Sequence, residues 1–214
     1  MQVRAVIFAD LAGFTALTEA HGDEEAVELV QQFASQVRAK LPASATLVKI
    51  VGDAAMIVAE DCADALRLAV DLVAASQDLP GRPALRVGIH AGDVVERNGD
   101  YWGHTVNVAA RVAGEARPGE ILVTEAVREQ VASADAALDA QLIARGDHQL
   151  RNVSRPVRLF AIPAGEENDY HTDPVCRMRV RESESAGTLT VDGTLYYFCS
   201  LDCVSAFLEQ HPPD

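Results

Sequence analysis

Two hydrophobic periods divide the chain. Gln2 to Ile7 is a short, mostly apolar run of strand length, while Ala16 to Leu41 is helical. In that helical stretch Leu17, Ala20, Ala26, Leu29, Val30, Phe33 and Val37 recur near three-to-four spacing, with a break expected at Gly22. Val48 to Val58 reads as two apolar strands joined at Gly52-Asp53, a hairpin signal. Cys62 to Ser76 is a second helix, with Leu66, Ala69, Val70 and Val73 facing inward. Pro80-Gly-Arg-Pro83 is a turn, Leu85 to Ala91 a strand, and Gly92 opens a short hairpin through Asn98-Gly99. Gly103 to Ala116 is helical, Ile121 to Thr124 a strand and Glu125 to Val131 a short helix. Arg145 to Gln149 and Pro156 to Ile162 form a closing strand pair.

The order strand, helix, strand, strand, helix, strand predicts an α+β fold, the ferredoxin-like βαββαβ arrangement with additions. A polar stretch, Ala164 to Asp169, reads as a linker, giving domains at 1–163 and 170–214. The second is a small module. Thr188 to Val191 and Thr194 to Phe198 flank Asp192-Gly193, a two-residue hairpin, and Ser200 caps a helix running to His211.

Composition narrows the function classes. The 214 residues are 49% hydrophobic and 23% charged, ordinary for a soluble protein. A net charge of −14 argues against nucleic acid or an anionic membrane as a general partner. It leaves a nucleotide open, because a bound metal reverses the local field. No window approaches the roughly 20 apolar residues of a membrane span, and no signal pattern is present, so a cytoplasmic location is expected. The four cysteines are then thiols or metal ligands rather than disulfides.

The candidate chemistry starts at Phe8-Ala-Asp-Leu-Ala-Gly-Phe-Thr15. Asp10 falls at the carboxyl end of a strand, followed by a glycine turn and a helix start. That suits a cation with a phosphate, since the carboxylate holds the metal and backbone N–H groups meet anionic oxygens. An Asp here also serves as a plain helix cap. Asp53 falls at the tip of the hairpin. Paired beside the first strand, the hairpin brings Asp53 to Asp10, and two close carboxylates repel unless a cation lies between them. Asn107 and Arg111 are four apart and share one helix face. Arg is the usual stabiliser of charge on a transferring phosphoryl group, although alone the two also read as a solvated Arg and a surface Asn.

FADLAGFT, KIVGDA, RVGIHAG and GDYWGHTVNVAAR, in that order, resemble the catalytic domain of class III nucleotidyl cyclases over roughly residues 1–163. The resemblance implies two Mg²⁺ or Mn²⁺ per site, held by Asp10 and Asp53 with the main-chain carbonyl of Leu11. It places the triphosphate on the turn Ala12, Gly13, Phe14 and Thr15, and makes Arg86 a phosphate ligand. Asn107 would orient the ribose and Arg111 would stabilise the pentacoordinate phosphorus. Lys49 and Asp100 fall where the family reads the purine. Adenine offers an N6 donor and an N1 acceptor, matching an Asp acceptor and a Lys donor, whereas guanine reverses both. The expectation is an adenylate cyclase acting on ATP as a homodimer with shared sites. A guanylate cyclase, or a non-catalytic nucleotide- or metal-responsive module on the same fold, are the alternatives.

In the tail, Asp173-Pro-Val-Cys-Arg-Met178 and Tyr196-Tyr-Phe-Cys-Ser-Leu-Asp-Cys203 resemble the YHS family, related to TRASH-type three-cysteine metal modules. Arg177 stands where that family often carries Gly. Cys203 lies one helical turn after Cys199, so both thiols can face one point, and Cys176 would join them around Zn²⁺ or Cu⁺. So small a unit usually needs such a staple. A small hydrophobic cluster is the other reading of the three thiols. His171, Asp202 and His211 are fourth-ligand candidates, each also readable as a surface residue. His21, His90, His104 and His148 show no ligand spacing, and Cys62, lone on an apolar helix, reads as core.

Overall fold

The computed structural model describes residues 2–77, 81–165 and 169–211. The first strand, β1 (Gln2–Leu11), runs straight into the turn at Ala12-Gly13 and then α1 (Phe14–His21). Gly22 separates α1 from α2 (Asp23–Lys40), whose first turn is acidic and favours the helix dipole. Next come β2 (Ala45–Val51), β3 (Ala54–Ala59) and α3 (Cys62–Gln77). β4 (Leu85–Arg97) and β5 (Asp100–Trp102) form a hairpin, followed by α4 (His104–Glu115). β6 (Ile121–Thr124), α5 (Glu125–Ala134), α6 (Ala136–Asp139), β7 (Ile143–His148) and β8 (Val157–Ile162) complete this part.

The main sheet has the order β2-β3-β1-β4-β6-β8-β7, with β5 paired to β4. β3 and β4 flank β1, both antiparallel to it. The first four strands therefore follow the expected split arrangement, and β6 to β8 extend it. Both faces are covered. Ile7, Ala9, Ile57, Val87 and Ile89 face Phe33 and Val37 of α2 together with the apolar side of α3. On the other face Val6, Met56 and Val58 meet Ala109 of α4. Alternation along each strand supplies the two sets. A side chain on Gly88 would strike the backbone of Ala113, so glycine there lets α4 lie close on β4.

Two details differ from the sequence reading. β4 does not end at Ala91 but continues through Gly92 to Arg97, because Gln2 to Ala5 of β1 pair along that extension. α1 starts at Phe14, two residues before the apolar period suggests. The turn expected at Pro80 to Pro83 and the linker at Ala164 to Asp169 lie partly outside the described residues.

The tail contains β9 (Tyr170–Thr172) paired with β10 (Arg179–Arg181), the hairpin of β11 (Gly187–Val191) and β12 (Thr194–Phe198), and α7 (Leu201–Gln210). Asp192 and Gly193 both have positive φ, as a type I′ turn requires. Ser200 caps α7 by accepting from the Cys203 N–H at 3.1 Å. The small core of the tail is completed by α1 and α2. Cys176, Met178, Phe198, Cys203 and Phe207 cluster with Leu17 of α1 and Ala26 of α2. The buried Arg179 donates to the carbonyls of Ser76 and Gln77 at 3.2 and 2.9 Å, at the C-terminal end of α3. Met178 forms a bridge to Pro83.

Candidate functional site

The register sets the first site. Asp10 lies opposite Ala54 of β3 and Arg86 of β4. Asp53 occupies the β2–β3 turn, which Gly52 closes with φ 61°. Asp53 is pushed up to about 6, first by burial and then by the adjacent Asp10 carboxylate, to which it also bonds. Arg86 donates its Nε–H to Asp10 at 2.6 Å and its terminal nitrogen also contacts the same oxygen. One cation thus already answers this carboxylate pair, and the pair retains unrelieved repulsion.

Immediately after it, Gly13 has φ 84°, which turns the chain into the N-terminus of α1. Leu11 and Ala12 are buried, so their polar groups here are main-chain ones. Thr15 is exposed in the first turn.

A cleft of about 430 Å³ opens on the α4 face, lined by Asp10, Lys49, Arg86, Trp102 and Asn107 among others. Of these, Lys49 donates to both Asp100 oxygens, at 2.7 and 2.6 Å. That bond lowers the Asp100 pKa. Lys49 also lies 5.1 Å from the ring centre of the exposed Trp102, a neighbour that sequence reasoning did not single out. Arg111 stands one turn beyond Asn107 on α4, exposed and outside the cleft lining. The structure therefore gathers Asp10, Asp53 and Arg86 at one sheet end and joins Lys49, which lines the cleft, to Asp100. Asn107 and Arg111 lie on one open helix face.

A second cluster lies where the tail meets α1. Cys176 and Cys199 sulfurs are 3.4 Å apart, and Cys199 and Cys203 sulfurs 3.7 Å apart. The buried Asp173 carboxylate aligns both loops, accepting from the N–H groups of Val175, Cys176 and Cys199 at 2.8, 3.2 and 2.8 Å. The neighbouring Cys176 thiol, then burial, raises the Cys199 thiol above its ordinary value. Burial foremost pushes Cys203 up to about 11. Cys199 and Cys203 therefore resist ionising unless a cation joins them.

The fourth group corrects the sequence reading. His21 Nε2 lies 3.6 Å from Cys199 Sγ and 4.0 Å from Cys203 Sγ. The expected candidates are elsewhere. His171 pairs with Glu182 at 3.0 Å and stacks on Tyr197, His211 stacks on Phe207, and Asp202 is exposed on α7. His21 ends a different helix on the other side of the chain, so no local spacing could reveal it. Cys62 is buried in the main core, as its apolar helix implied. Arg177 adopts φ 66°, the left-handed region that explains a preference for Gly at this position.

The profile of the adenylate and guanylate cyclase catalytic domain matches residues 2–162, and the chain belongs to that family. The YHS domain profile matches residues 171–212, so a YHS domain follows the cyclase domain. The chain is 39% identical over 160 residues to a pH-sensitive adenylate cyclase of Mycobacterium tuberculosis, covering 75% of this chain and 40% of that protein. It is 40% identical over 127 residues to an adenylate cyclase of Streptomyces griseus, covering 59% of this chain and 32% of that protein. It thus spans less than half the length of these relatives. A solved structure of a Trypanosoma brucei adenylate cyclase in its monomeric state superposes with a TM-score of 0.66. It is 25% identical and covers 75% of this chain and 89% of the other. No helix among the described residues is long and apolar enough to cross a membrane.

Proposed function

We propose that this chain is an adenylate cyclase converting ATP to 3′,5′-cyclic AMP and pyrophosphate. The observation that carries the reading is the meeting of Asp10 and Asp53, with Arg86 beside them, next to a cleft that Asp10 and Lys49 line. A carboxylate pair in which one member holds its proton to about pH 6 fits a site made for cations. Two Mg²⁺ or Mn²⁺ ions there, held by Asp10, Asp53 and the Leu11 carbonyl, would acidify the ribose 3′-hydroxyl and spread the phosphate charge.

The chain's own groups do the rest. Backbone N–H groups of Gly13, Phe14 and Thr15, at the start of α1, hold the triphosphate oxygens, while that of Ala12 stays on the Ala84 carbonyl at 2.8 Å. Arg86 leaves Asp10 for the phosphates. Lys49 donates to adenine N1 and Asp100 accepts from its N6 amino group, while Trp102 lies beside them. Asn107 orients the ribose, and Arg111 stabilises charge at the α-phosphorus. The 3′-oxygen forms its bond to that phosphorus as the bond to the β-phosphate oxygen breaks, pyrophosphate leaves, and the hydroxyl proton goes to solvent. Because Asn107 and Arg111 lie on an open face, a homodimer that brings them, together with Lys49 and Asp100, to the partner's carboxylates completes each site. Metal at the tail thiols, Zn²⁺ or Cu⁺, modulates the output.

The test is product formation by the purified chain with Mn²⁺ or Mg²⁺, offered ATP and GTP separately. Cyclic AMP is expected from ATP, with Asp10→Ala and Asp53→Ala each inactive but folded. Absence of either cyclic nucleotide from the wild type would point to a non-catalytic module. The tail's influence is read by comparing the rates of wild type and Cys203→Ser.

A further inference from the structure

The thiol cluster and His21 belong to different parts of the chain, yet their geometry is that of one site. The ligand atoms of His21, Cys176, Cys199 and Cys203 all lie within 4.8 Å of one another. A tetrahedral ion with metal–sulfur bonds of about 2.3 Å and a metal–nitrogen bond of about 2.0 Å spaces its ligands by about 3.5–3.8 Å. Four of the six separations, 3.4, 3.7, 3.6 and 4.0 Å, bracket that range, and the other two stay within 4.8 Å.

The imidazole is also oriented for the task. His21 Nδ1 faces the Glu25 carboxylate at 3.6 Å, one helical turn on and across the Gly22 break. A proton on Nδ1 leaves the Nε2 lone pair for a metal, the arrangement in which a carboxylate steadies a ligating histidine. Asp173 supplies the matching support for the thiols through the N–H groups of Cys176 and Cys199. We propose that His21, Cys176, Cys199 and Cys203 form one tetrahedral site for a zinc-type divalent cation, and that this ion latches the tail onto α1.

Three thiolates and an imidazole in a tetrahedron suit Zn²⁺ better than Cu⁺, since Cys₃His is a common structural zinc set and a softer ion has less use for the imidazole. The latch has a defined target. Gly13 immediately precedes α1, and the Cβ and Cγ of Arg177, next to Cys176, occupy the space beside that glycine. Arg177 and Arg86 line one cavity with Ala12 and Gly13. An ion joining His21 to Cys176 therefore ties both ends of α1 to the tail, at Gly13 through packing and at His21 through coordination. The site itself does not depend on the cyclase reading.

The experiment uses the full chain, stripped of metal under reducing conditions, and titrates it with Co²⁺ and then Zn²⁺. One Co²⁺ per chain is expected, with the intense visible bands of a tetrahedral site and thiolate charge transfer, displaced by one Zn²⁺. His21→Ala should weaken Zn²⁺ binding at least about 100-fold and alter the Co²⁺ bands, and Glu25→Gln should weaken it about 10-fold. His21→Cys, which keeps a fourth ligand, should bind the ion and strengthen the charge-transfer band. It guards against loss of folding in the alanine variant. Hydrogen exchange should show Zn²⁺ protecting α1 and α7 together. Wild-type affinity and spectrum in His21→Ala, protection confined to α7, or no stoichiometric metal in the wild type would each overturn the proposal.

Discussion

Replacing Asp53 by Asn should make the metal-free protein more stable while removing the proposed cyclase activity. In the folded chain Asp53 releases its proton near pH 6 rather than 3.8, because burial and the Asp10 carboxylate oppose its charge. At about 1.36 kcal/mol per pH unit, that difference corresponds to at most about 3 kcal/mol. The group is partly solvent-exposed, and screening reduces the expected effect to roughly 1–2 kcal/mol. The sign follows from linkage. Below about pH 4 the side chain is protonated in both folded and unfolded chains, and no penalty exists. As pH rises from 4 to 6, the unfolded chain ionises while the folded chain holds the proton, so wild-type stability falls. Above pH 6 the whole penalty is present. Asn is close in shape and carries no charge, so Asp53→Asn should exceed the wild type by about 1–2 kcal/mol at pH 8 and match it near pH 4. For a chain of this size that is a rise of roughly 2–8 °C in melting temperature at pH 8. Mn²⁺ should stabilise the wild type far more than the variant, since only the wild type has a charge conflict for the ion to resolve. The assay is chemical and thermal unfolding from pH 4 to 8, with and without Mn²⁺. A variant that is less stable at pH 8, or a difference that ignores pH, would refute the carboxylate conflict on which the cation site rests.

Four further outcomes are expected. Mixing the inactive Asp10→Ala and Arg111→Ala chains should restore activity, because one site of the mixed dimer collects neither defect; no recovery despite proven subunit exchange contradicts a shared site. Lys49→Glu should raise the turnover of GTP relative to ATP, since Glu accepts from guanine N–H groups, and an unchanged ratio means that Lys49 does not read the base. Gly88→Ala should cost about 3 kcal/mol, seen as a melting temperature lower by roughly 6–12 °C, because the new methyl meets the Ala113 backbone. His90, whose Nδ1 lies 2.8 Å from Thr124 Oγ1, is lowered to about 4 by burial first and His104 second. Its stabilising contribution is therefore full above about pH 6.5 and lost as pH falls toward 4, and His90→Gln should flatten that part of a urea-midpoint profile.

The sequence by itself determined the elements, their order and the local chemistry. Hydrophobic period 2 or 3.6, the Gly52-Asp53 and Asp192-Gly193 turns and the Ser200 cap are properties of a few adjacent residues, so they are readable without a fold. The meeting of Asp10 with Asp53 was also legible, because a hairpin beside a strand leaves few ways to pair. The tertiary structure decided what depends on long separations. β4 runs past Ala91 because β1 offers it partners there, although Gly92 alone reads as a break. The tail completes its small apolar cluster with Leu17 and Ala26, since a unit that small lacks the surface to close a core alone. That packing carries His21 to the three thiols. Metal-ligand spacing in sequence reflects ligands on one or two neighbouring turns, and a ligand brought in by the docking of α1 leaves no such trace.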